Sequence, residues 1–326
     1  MQAVEIRALT NDLSGVHVTD RSVPVAGDGE LLIAVRATSL NYPDLLMTRG
    51  DYQLKPPLPF IPGMEIAGTV VTTPDDAPFR KGDRIFGAVR IGAMAEFACL
   101  PLDAAQPIPD GMDFTTAAAF GAAYGTAWTA LVEIGQLAPG QWVLVHGASG
   151  GVGLAAADVA QALGANVIMT TGSPAKRAAM VATGWAQAVL DARGRFREDV
   201  ADLTGGTLAD LVYDPVGGDV FDESTRCVAF GGKLLVVGFA GGRIPAINAN
   251  IPLIKGFSVV GVRAGEYGRR FPERGRAIRS ALLAMAAEGR FTPRIDRVLP
   301  LSRWREAFAA MDERAIVGKV VLEPGA

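Results

Sequence analysis

A glycine-rich turn between an apolar run and a helical pattern constrains this chain more than any other feature. The apolar run is residues 142–145, the turn is residues 146–153 (HGASGGVG), and the helical pattern covers residues 154–163. Glycine lets the backbone approach a pyrophosphate, and the N-terminus of the next helix directs free N–H groups towards it. This order predicts a dinucleotide-binding site, although Ala148 replaces the first glycine of G-x-G-x-x-G; a turn that only packs the helix on the strand is the alternative. The residues expected at the pyrophosphate are Ser149, Gly150, Gly151, Val152 and Gly153.

The residues after the second strand of this pattern indicate which dinucleotide is bound. A site for NAD usually has an acidic residue there, which holds the ribose 2′-hydroxyl. Residues 166–171 predict the strand, and residues 172–177 (GSPAKR) contain no Asp or Glu. Ser173 is the expected N-cap of the following helix, and Lys176 and Arg177 fall in its first turn. The helix dipole disfavours cations there, so an anionic ligand is expected. We therefore predict NADPH, with its 2′-phosphate held by Ser173, Lys176 and Arg177; ordinary solvated charges are the alternative. Thr171 and Gly172 are expected to line the same site.

Length, charge and cysteine content limit the class of protein. A chain of 326 residues is long enough for two domains with separate cores. A net charge of −3 with 20% charged residues gives no broad attraction to nucleic acid or anionic membranes. Mean hydropathy is +0.25, yet no apolar run reaches the ~18 residues of a membrane span. The first residues predict a charged strand and no signal peptide, and two cysteines far apart fit a reducing cytoplasm.

Two kinds of pattern divide the chain. Up to about residue 120, short strands separated by turns are predicted, whereas strands and helices alternate from about residue 141. The alternating part predicts a doubly wound parallel sheet with strand order 3-2-1-4-5-6. The tail after residue 262 is too short for a core of its own, so we expect it to complete the first domain. The fold class is therefore α/β, with residues 1–122 and 263–326 forming one domain and residues 123–262 the other. Strands are predicted at 3–9, 16–20, 30–37, 66–73, 84–87, 95–101, 142–146, 166–171, 188–190, 208–213, 232–238, 258–262, 296–299 and 318–322. One helix is predicted to begin near residue 42, and further helices are predicted at 152–163, 174–183, 195–204, 219–229, 272–288 and 302–312.

Six segments together resemble the medium-chain dehydrogenases/reductases, and specifically the zinc-free quinone oxidoreductase (zeta-crystallin-like) branch. They are residues 40–52 (LNYPDLLMTRGDY), 59–68 (PFIPGMEIAG), 146–153, 213–221 (YDPVGGDVF), 231–245 (GGKLLVVGFAGGRIP) and 317–322 (VGKVVL). The resemblance spans nearly the whole chain. It implies a GroES-like, β-rich domain that carries the substrate and a Rossmann domain that binds NADPH.

The resemblance also bears on zinc. Zinc-dependent relatives bind the metal through cysteine, histidine and a further cysteine or acid. Asn41 and Met64 stand where the first cysteine and the histidine would be, and no cysteine-rich lobe follows Gly92. His17 and His146 are expected to be structural. We therefore predict that the protein binds no metal.

Further site residues follow from the resemblance alone. Asn41 would bond near the nicotinamide or the substrate oxygen, and Lys319 would reach the cofactor. Arg193 is a candidate second contact to the phosphate, since the tyrosine that relatives often carry nearby is absent. The other expected cofactor contacts are Thr126, Pro215, Val216, Gly238, Phe239 and Ala240. The expected apolar substrate pocket consists of Tyr42, Leu46, Phe60, Met64 and Tyr124.

Three functions remain open. The first is reduction of a quinone by NADPH, in which solvent can supply the proton. The second is reduction of an α,β-unsaturated ketone or enoyl thioester, with Tyr52 as the acid, because Gly50-Asp51-Tyr52 matches the G-x-Y position of enoyl thioester reductases. The alternative to that role is that Tyr52 only lines the wall. The third is a non-catalytic, crystallin-type protein that binds cofactor or RNA, although basic runs with interleaved aromatics are absent. A homodimer is expected through the last Rossmann strand, residues 258–262, which would otherwise be an exposed apolar edge.

Overall fold

The computed structural model describes residues 1–291 and 293–325 and divides the chain into two compact units. One unit is Met1–Ala122 with Pro293–Ala326, and the other is Ala123–Thr292. The sequence pattern assigned residues 263–292 to the first domain, whereas the structure includes them in the second unit. Side chains explain this placement, because Tyr267 donates a hydrogen bond to Glu133 at 3.0 Å and Arg274 forms an ion pair with the same carboxylate at 2.9 Å.

The elements of the described chain are numbered in sequence order. The strands are β1 (Gln2–Ile6), β2 (Val16–Asp20), β3 (Glu30–Leu40), β4 (Glu65–Thr72), β5 (Arg84–Ala88), β6 (Phe97–Pro101), β7 (Gln106–Pro107), β8 (Trp142–Val145), β9 (Asn166–Thr171), β10 (Ala188–Asp191), β11 (Ala209–Asp214), β12 (Val228–Val236), β13 (Ser258–Gly261), β14 (Ile295–Pro300) and β15 (Lys319–Glu323). The helices are α1 (Tyr42–Arg49), α2 (Phe114–Trp128), α3 (Gly151–Ala162), α4 (Pro174–Val181), α5 (Arg197–Leu203), α6 (Gly218–Ser224), α7 (Asn250–Lys255), α8 (Ala264–Arg270), α9 (Pro272–Ala287) and α10 (Trp304–Asp312).

The first unit is built around a mostly antiparallel sheet with the strand order β14-β15-β3-β4-β5-β7, to which β6 adds by pairing with β3. The tail completes this sheet as expected, since β15 pairs with β3 through Val320 and Leu40. Strands β1 and β2 form a separate hairpin. A core cluster that includes Leu40, Leu45 and Phe308 packs α1 and α10 against the sheet, and this packing fixes the start of α1.

The second unit contains a six-stranded parallel sheet with the order β10-β9-β8-β11-β12-β13. Renumbered within the unit, this order is the predicted 3-2-1-4-5-6, so the doubly wound prediction is confirmed. Its central strands are apolar runs such as β8 (WVLV), which suits a sheet covered by helices on both faces. The carboxyl ends of β8, β9, β10 and β11 therefore lie at one edge, where ligands bind in folds of this class.

Some predicted elements differ from the structure. The helix predicted at 219–229 ends at Ser224, and β12 begins at Val228 instead of near residue 232. The pairing of β11 with β12 shifts register between Ala209 and Leu211, and Gly231 and Gly232 lie in the irregular start of β12. Glycines in a strand often mark such an irregularity. The sequence pattern therefore did not predict the first half of β12. Helices α2, α7 and α8 were not predicted. No described helix has the length and apolarity that crossing a membrane requires.

Candidate functional site

The predicted dinucleotide turn has the geometry of an anion-binding site. Gly150 is the N-cap of α3, and no side chain caps this helix. The first-turn N–H groups have no intrahelical acceptor, so they are available to a ligand at this end. The turn itself is anchored, because Ala148 N donates to Thr170 O at 3.1 Å and Gly150 N donates to Gly147 O at 2.9 Å. Ser149, Gly151 and Val152 lie at this helix start and are partly exposed.

Gly153 allows the helix to pack directly on the turn. A Cβ atom at this position would lie 2.4 Å from Gly147 O and 2.8 Å from Ala148 Cα. No real Cβ contact is that short, and the obstructing atoms are backbone. Gly147 itself has φ +55, a left-handed conformation that glycine adopts without strain. The glycines at these two positions are therefore required by the shape of the turn.

His146 has a structural role. Its ring nitrogens lie 2.8 Å from Thr170 Oγ1 and 2.7 Å from Ser224 Oγ, and the side chain is fully buried. Burial lowers the pKa of His146 to about 3, so the ring is neutral near pH 7. A neutral imidazole with both nitrogens bonded locks β8 to β9 and α6, which agrees with the structural role expected from the sequence.

Charged residues meet at the ends of β9 and β10. Ser173 is the N-cap of α4, and its hydroxyl accepts from Lys176 N at 3.4 Å, as the sequence predicts. Asp191 pairs with Thr171 across the two strands. Its carboxylate forms ion pairs with Arg177 at 3.2 Å and Arg193 at 2.9 Å. The end of β9 is not followed by an acidic residue in its own sequence, but the neighbouring strand β10 places the Asp191 carboxylate beside it.

The loops after β11 and β12 are bonded to each other. Asp214 Oδ1 accepts from Val216 N at 2.8 Å. Gly238 N donates to Asp214 O at 3.3 Å and Ala240 N to Pro215 O at 3.0 Å. These amides already have acceptors, so the two loops hold each other in place. The structure thus brings Pro215, Val216, Gly238, Phe239 and Ala240 together, while their contact with a cofactor stays a prediction.

In the first unit, Asn41 and Lys319 belong to a buried polar cluster. Lys319 Nζ donates to Asn41 Oδ1 at 2.6 Å and to Glu65 Oε2 at 3.0 Å. Asn41 Nδ2 donates to the same Glu65 oxygen at 2.9 Å, and Ser39 Oγ does so at 2.7 Å. The other Glu65 oxygen accepts from Ala122 N at 2.6 Å. Opposite charges therefore fix the Asn41 amide from both ends.

Two carboxyl groups in this region titrate differently. Burial alone would raise the pKa of Glu65, but Lys319, the Ala122 amide and the Ser39 and Asn41 side chains outweigh it and hold that pKa below its usual value. Asp44 accepts from the amides of Asn41 and Gly63, at 2.8 and 3.0 Å. Burial dominates there and raises the pKa of Asp44 to about 7. The sequence did not identify Glu65 as a member of this cluster, because its partners Asn41, Ala122 and Lys319 are 24, 57 and 254 residues away.

The expected pocket residues differ in exposure. Tyr42 is exposed, and Leu46 and Met64 are half-buried on the first unit. Phe60 is buried in the core of that unit. Tyr124 belongs to the second unit and is also buried, with its hydroxyl bonded to Asp158 at 2.5 Å. Tyr52 is half-buried and packs against the first-unit core, and Thr126 is half-buried on α2. Their roles towards a substrate or cofactor stay predictions.

Comparison with known proteins agrees with both units. Residues 27–110 match the family model of the alcohol dehydrogenase GroES-like domain, and residues 151–290 match that of zinc-binding dehydrogenases. The quinone oxidoreductase-like protein 2 homolog of Nematostella vectensis is 38% identical over 91% of this chain and 82% of its own length. The chain belongs to the quinone oxidoreductase family of medium-chain dehydrogenases/reductases. The resemblance and the fold class predicted from the sequence are thereby confirmed.

Solved structures of the family superpose closely. Mycobacterial Rv1454c complexed with NADPH has a TM-score of 0.91 and 30% identity, covering 99% of this chain and 100% of that one. The Escherichia coli quinone oxidoreductase complexed with NADPH has a TM-score of 0.91 and 26% identity, with the same coverage. Both of these structures contain NADPH, and the second is named a quinone oxidoreductase.

Zinc does not fit this member of the family. The described residues contain no group of three or more histidine, cysteine, aspartate or glutamate side chains that could hold a metal ion. Asn41 Oδ1, at the position of a zinc ligand in relatives, instead accepts from the Lys319 ammonium. Zinc prefers thiolate, imidazole and carboxylate ligands. The two carboxyl groups near Asn41, Glu65 and Asp44, are already bonded by Lys319 and by backbone amides. A nucleotide does fit this protein. The N-terminus of α3 has no side-chain cap, and the turn before it packs so closely on Gly153 that a Cβ atom there would clash with the backbone.

Proposed function

We propose that the protein is an NADPH-dependent oxidoreductase that reduces a quinone without a metal. The observation that carries this proposal is the uncapped start of α3 behind the glycine turn, with cations at the neighbouring ends of β9 and β10. The bound cofactor would supply a hydride. Relatives named quinone oxidoreductases, some solved with NADPH, support both the cofactor and the acceptor.

The second unit would hold most of the cofactor. First-turn amides of α3 would bind the pyrophosphate, and Ser173, Lys176 and Arg177 would bind the 2′-phosphate. Pro215 and Val216 would flank the nicotinamide ribose. In the first unit, Lys319 would keep the Asn41 amide in one orientation, since Lys319 Nζ and Glu65 bond its two ends. The remaining contacts proposed for the cofactor are those expected from the sequence: Thr126, Ser149, Thr171, Gly172, Arg193, Gly238, Phe239 and Ala240.

A quinone suits a site whose donors do not fit zinc. A quinone takes up a hydride readily, and the hydroquinone phenolate formed is stable, so positioning and desolvation can be sufficient. An activated alkene is the second candidate, and Tyr52 favours it, because a tyrosine hydroxyl can supply the proton that such a substrate requires at the α-carbon.

The experiment that separates these reactions is NADPH oxidation by purified protein with 1,4-benzoquinone, 9,10-phenanthrenequinone, an enone and crotonyl-CoA, with NADH in parallel. We expect turnover of the quinones. Faster turnover of the enone or thioester would assign the protein to the alkene reductases, and Tyr52→Phe should then reduce that rate while leaving quinone turnover unchanged. Tight cofactor binding without turnover of any acceptor would favour the non-catalytic alternative.

The proposed preference for NADPH is tested by removing the cations of α4. Replacing Lys176 and Arg177 together by alanine should raise the KM for NADPH roughly 10- to 100-fold, as loss of two charge-assisted contacts to phosphate would. The KM for NADH should hardly change. Arg195→Ala removes a nearby exposed cation and is the control for general attraction of anions. Equal losses for both cofactors would contradict the proposed phosphate contacts.

We also propose a homodimer through the second unit. Strand β13 lies at one end of the parallel sheet and so has one edge without a strand partner in the described chain. Beside it, Phe230, Leu253 and Ile254 are 88%, 80% and 75% exposed. A second copy pairing along β13 would cover both the strand edge and these apolar side chains.

The cytoplasm is the compartment that we propose. Cys99 and Cys227 are both free thiols. Free cysteines without disulfide bonds are typical of proteins in a reducing compartment.

A further inference from the structure

Asp191 lies at the centre of the charged group that follows β9 and β10. Thr171 and Asp191 are the last residues of these parallel strands and are paired in register. After β9 the chain passes through Gly172 and Ser173 into α4. A Cβ atom added to Gly172 would lie 3.4 Å from Arg193 Cγ, so the Arg193 side chain covers this strand-to-helix turn.

Both oxygens of the Asp191 carboxylate contact groups of Arg177 and Arg193. Oδ1 accepts from Arg193 N at 2.9 Å and from Arg193 Nε at 3.1 Å. Oδ2 accepts from Arg193 Nη2 at 2.9 Å and lies 3.2 Å from Arg177 Nη2. A carboxylate offers about four acceptor positions, so none is left for a ribose hydroxyl. Asp191 is therefore unsuited to the part that an acidic residue plays in NAD sites.

The guanidinium groups, in contrast, keep unused donors. Each arginine has five N–H bonds in a planar fork. Arg193 directs two of its side-chain N–H bonds at Asp191, whereas Arg177 forms an ion pair with the same carboxylate. Arg177 Nε is buried and has no acceptor in the described part of the chain. The three side chains together carry a net charge of +1, and their exposure of 35–61% leaves them open to a ligand.

We propose that Asp191 is a positioning residue that assembles Arg177 and Arg193 into a two-guanidinium clamp for the 2′-phosphate of NADPH. This inference rests on the proposed use of a nicotinamide dinucleotide and makes Arg193 a full partner in the phosphate site. Without the carboxylate, two like charges would separate, and a phosphate would have to order both flexible side chains itself. With it, the clamp is formed before the cofactor arrives, which lowers the entropic cost of binding.

The proposal predicts a selective effect of Asp191→Asn, which keeps the size of the side chain but removes its charge. The dissociation constant of NADPH should rise about tenfold and that of NADH should stay within about twofold, as expected when only the ordering of the phosphate ligands is lost. Isothermal titration calorimetry measures both constants directly. The fragments 2′,5′-ADP and 5′-AMP, which differ only by the 2′-phosphate, should repeat the selectivity without the nicotinamide.

Two controls make the result specific. Asp199→Asn makes the same charge change at an exposed position on α5 and should leave both constants unchanged. In an Arg177→Ala/Arg193→Ala background, Asp191→Asn should have no further effect on NADPH, because a residue that acts through the arginines loses its effect with them.

The contrary outcomes are distinct. Tighter NADPH binding by Asp191→Asn would mean that Asp191 competes with the phosphate, and unchanged binding would mean that it does not position the arginines. Either result would overturn the proposal. Equal weakening of NADPH and NADH would reduce Asp191 to a general structural residue. Wild-type protein that binds NADPH and NADH equally would refute the clamp but leave the oxidoreductase proposal standing. Wild-type protein that binds neither would refute the proposed function itself.

Discussion

At the residue scale, the cluster around Glu65 places two opposite charges in the interior of the first unit. Glu65 and Lys319 are both almost fully buried and form an ion pair at 3.0 Å. Removing charges from water is costly, and a pair compensates only when its remaining bonds are also satisfied. Glu65 meets that condition through Ser39, Asn41 and Ala122. The pair therefore makes one arrangement of Asn41 much more stable than any other.

Lys319→Met should destabilise the protein by about 3–5 kcal/mol, the usual cost of leaving one buried charge without its partner. Adding Glu65→Gln should restore much of this loss, because no unpaired charge remains. Asn41 can then turn its amide, since Lys319 no longer donates to its oxygen. Urea unfolding of the single and double variants measures the difference. A double variant as unstable as the sum of the two single variants would contradict this account.

Asp44 gives stability an unusual dependence on pH. Its pKa is about 7 in the folded protein, against 3.8 for an unperturbed aspartate, so the folded state binds this proton more tightly. The stability that the proton contributes is complete below about pH 4 and is lost as pH rises to about 7, by up to about 4 kcal/mol. Asp44→Asn cannot ionise. Its unfolding free energy relative to wild type should therefore improve between about pH 4.5 and 8, and a constant difference would contradict the raised pKa.

Residue roles were only partly predictable from the sequence. The N-cap at Ser173 and the structural role of His146 were expected from the sequence and appear in the structure. The carboxylate at Asp191 did not, because a strand-end argument considers one strand and Asp191 comes from the neighbouring one. The Asn41–Glu65–Lys319 cluster was also missed, since it joins positions up to 278 residues apart.

At the element scale, strand and helix patterns with a clear period were predictable, and those without one were not. Strand β9 was predicted at its observed bounds, and α3 within one residue. Helix α2 (FTTAAAFGAAYGTAW) carries small or apolar side chains on nearly all sides. It therefore has no polar face, and its sequence shows no alternation of apolar and polar residues with a helical period. Helices α7 and α8 were not predictable for another reason. They contain six and seven residues, which is less than two helical turns, so no helical period can be recognised.

The packing of α3 on its turn should tolerate no side chain at position 153. Gly153→Ala places a Cβ against Gly147 O and Ala148 Cα, so the helix or the turn must move. We expect a loss of about 1–3 kcal/mol of stability, typical of overpacking, with NADPH and NADH binding weakened alike. Gly265→Ala in α8 is the control, since its Cβ would meet only a flexible arginine at 3.7 Å. Retained cofactor affinity in Gly153→Ala would show that the turn adapts.

At the scale of the whole molecule, the division of the chain follows from sequence except for one segment. The tail returns to the first unit as β14, α10 and β15, as expected from its short length. Helices α8 and α9 instead belong to the second unit, where Tyr267 and Arg274 converge on Glu133. That contact joins residues far apart in sequence, so no local pattern reveals it. The assignment of a segment to a unit is decided by such contacts and not by where the strand pattern stops.

The apolar surface beside β13 leads to a prediction about assembly. Phe230, Leu253 and Ile254 are exposed next to the strand edge, and Phe230 covers Gly256 at the end of α7. Exposed apolar side chains of this size often mark an interface, and pairing across a two-fold axis would bury them symmetrically. Sedimentation velocity should therefore give twice the chain mass of 34.1 kDa for the wild type.

Leu253→Asp/Ile254→Asp should shift the protein to the monomer mass, because each buried and unpaired carboxylate would cost several kcal/mol at the interface. Val25→Asp, at a 92% exposed position of the first unit, is the matched control and should remain dimeric. A wild-type monomer at micromolar concentration would leave the patch to another function. A double variant that stays dimeric would place the interface elsewhere. Because Leu253 and Ile254 lie only a few residues before β13, a single pair of substitutions there is sufficient to decide between these results.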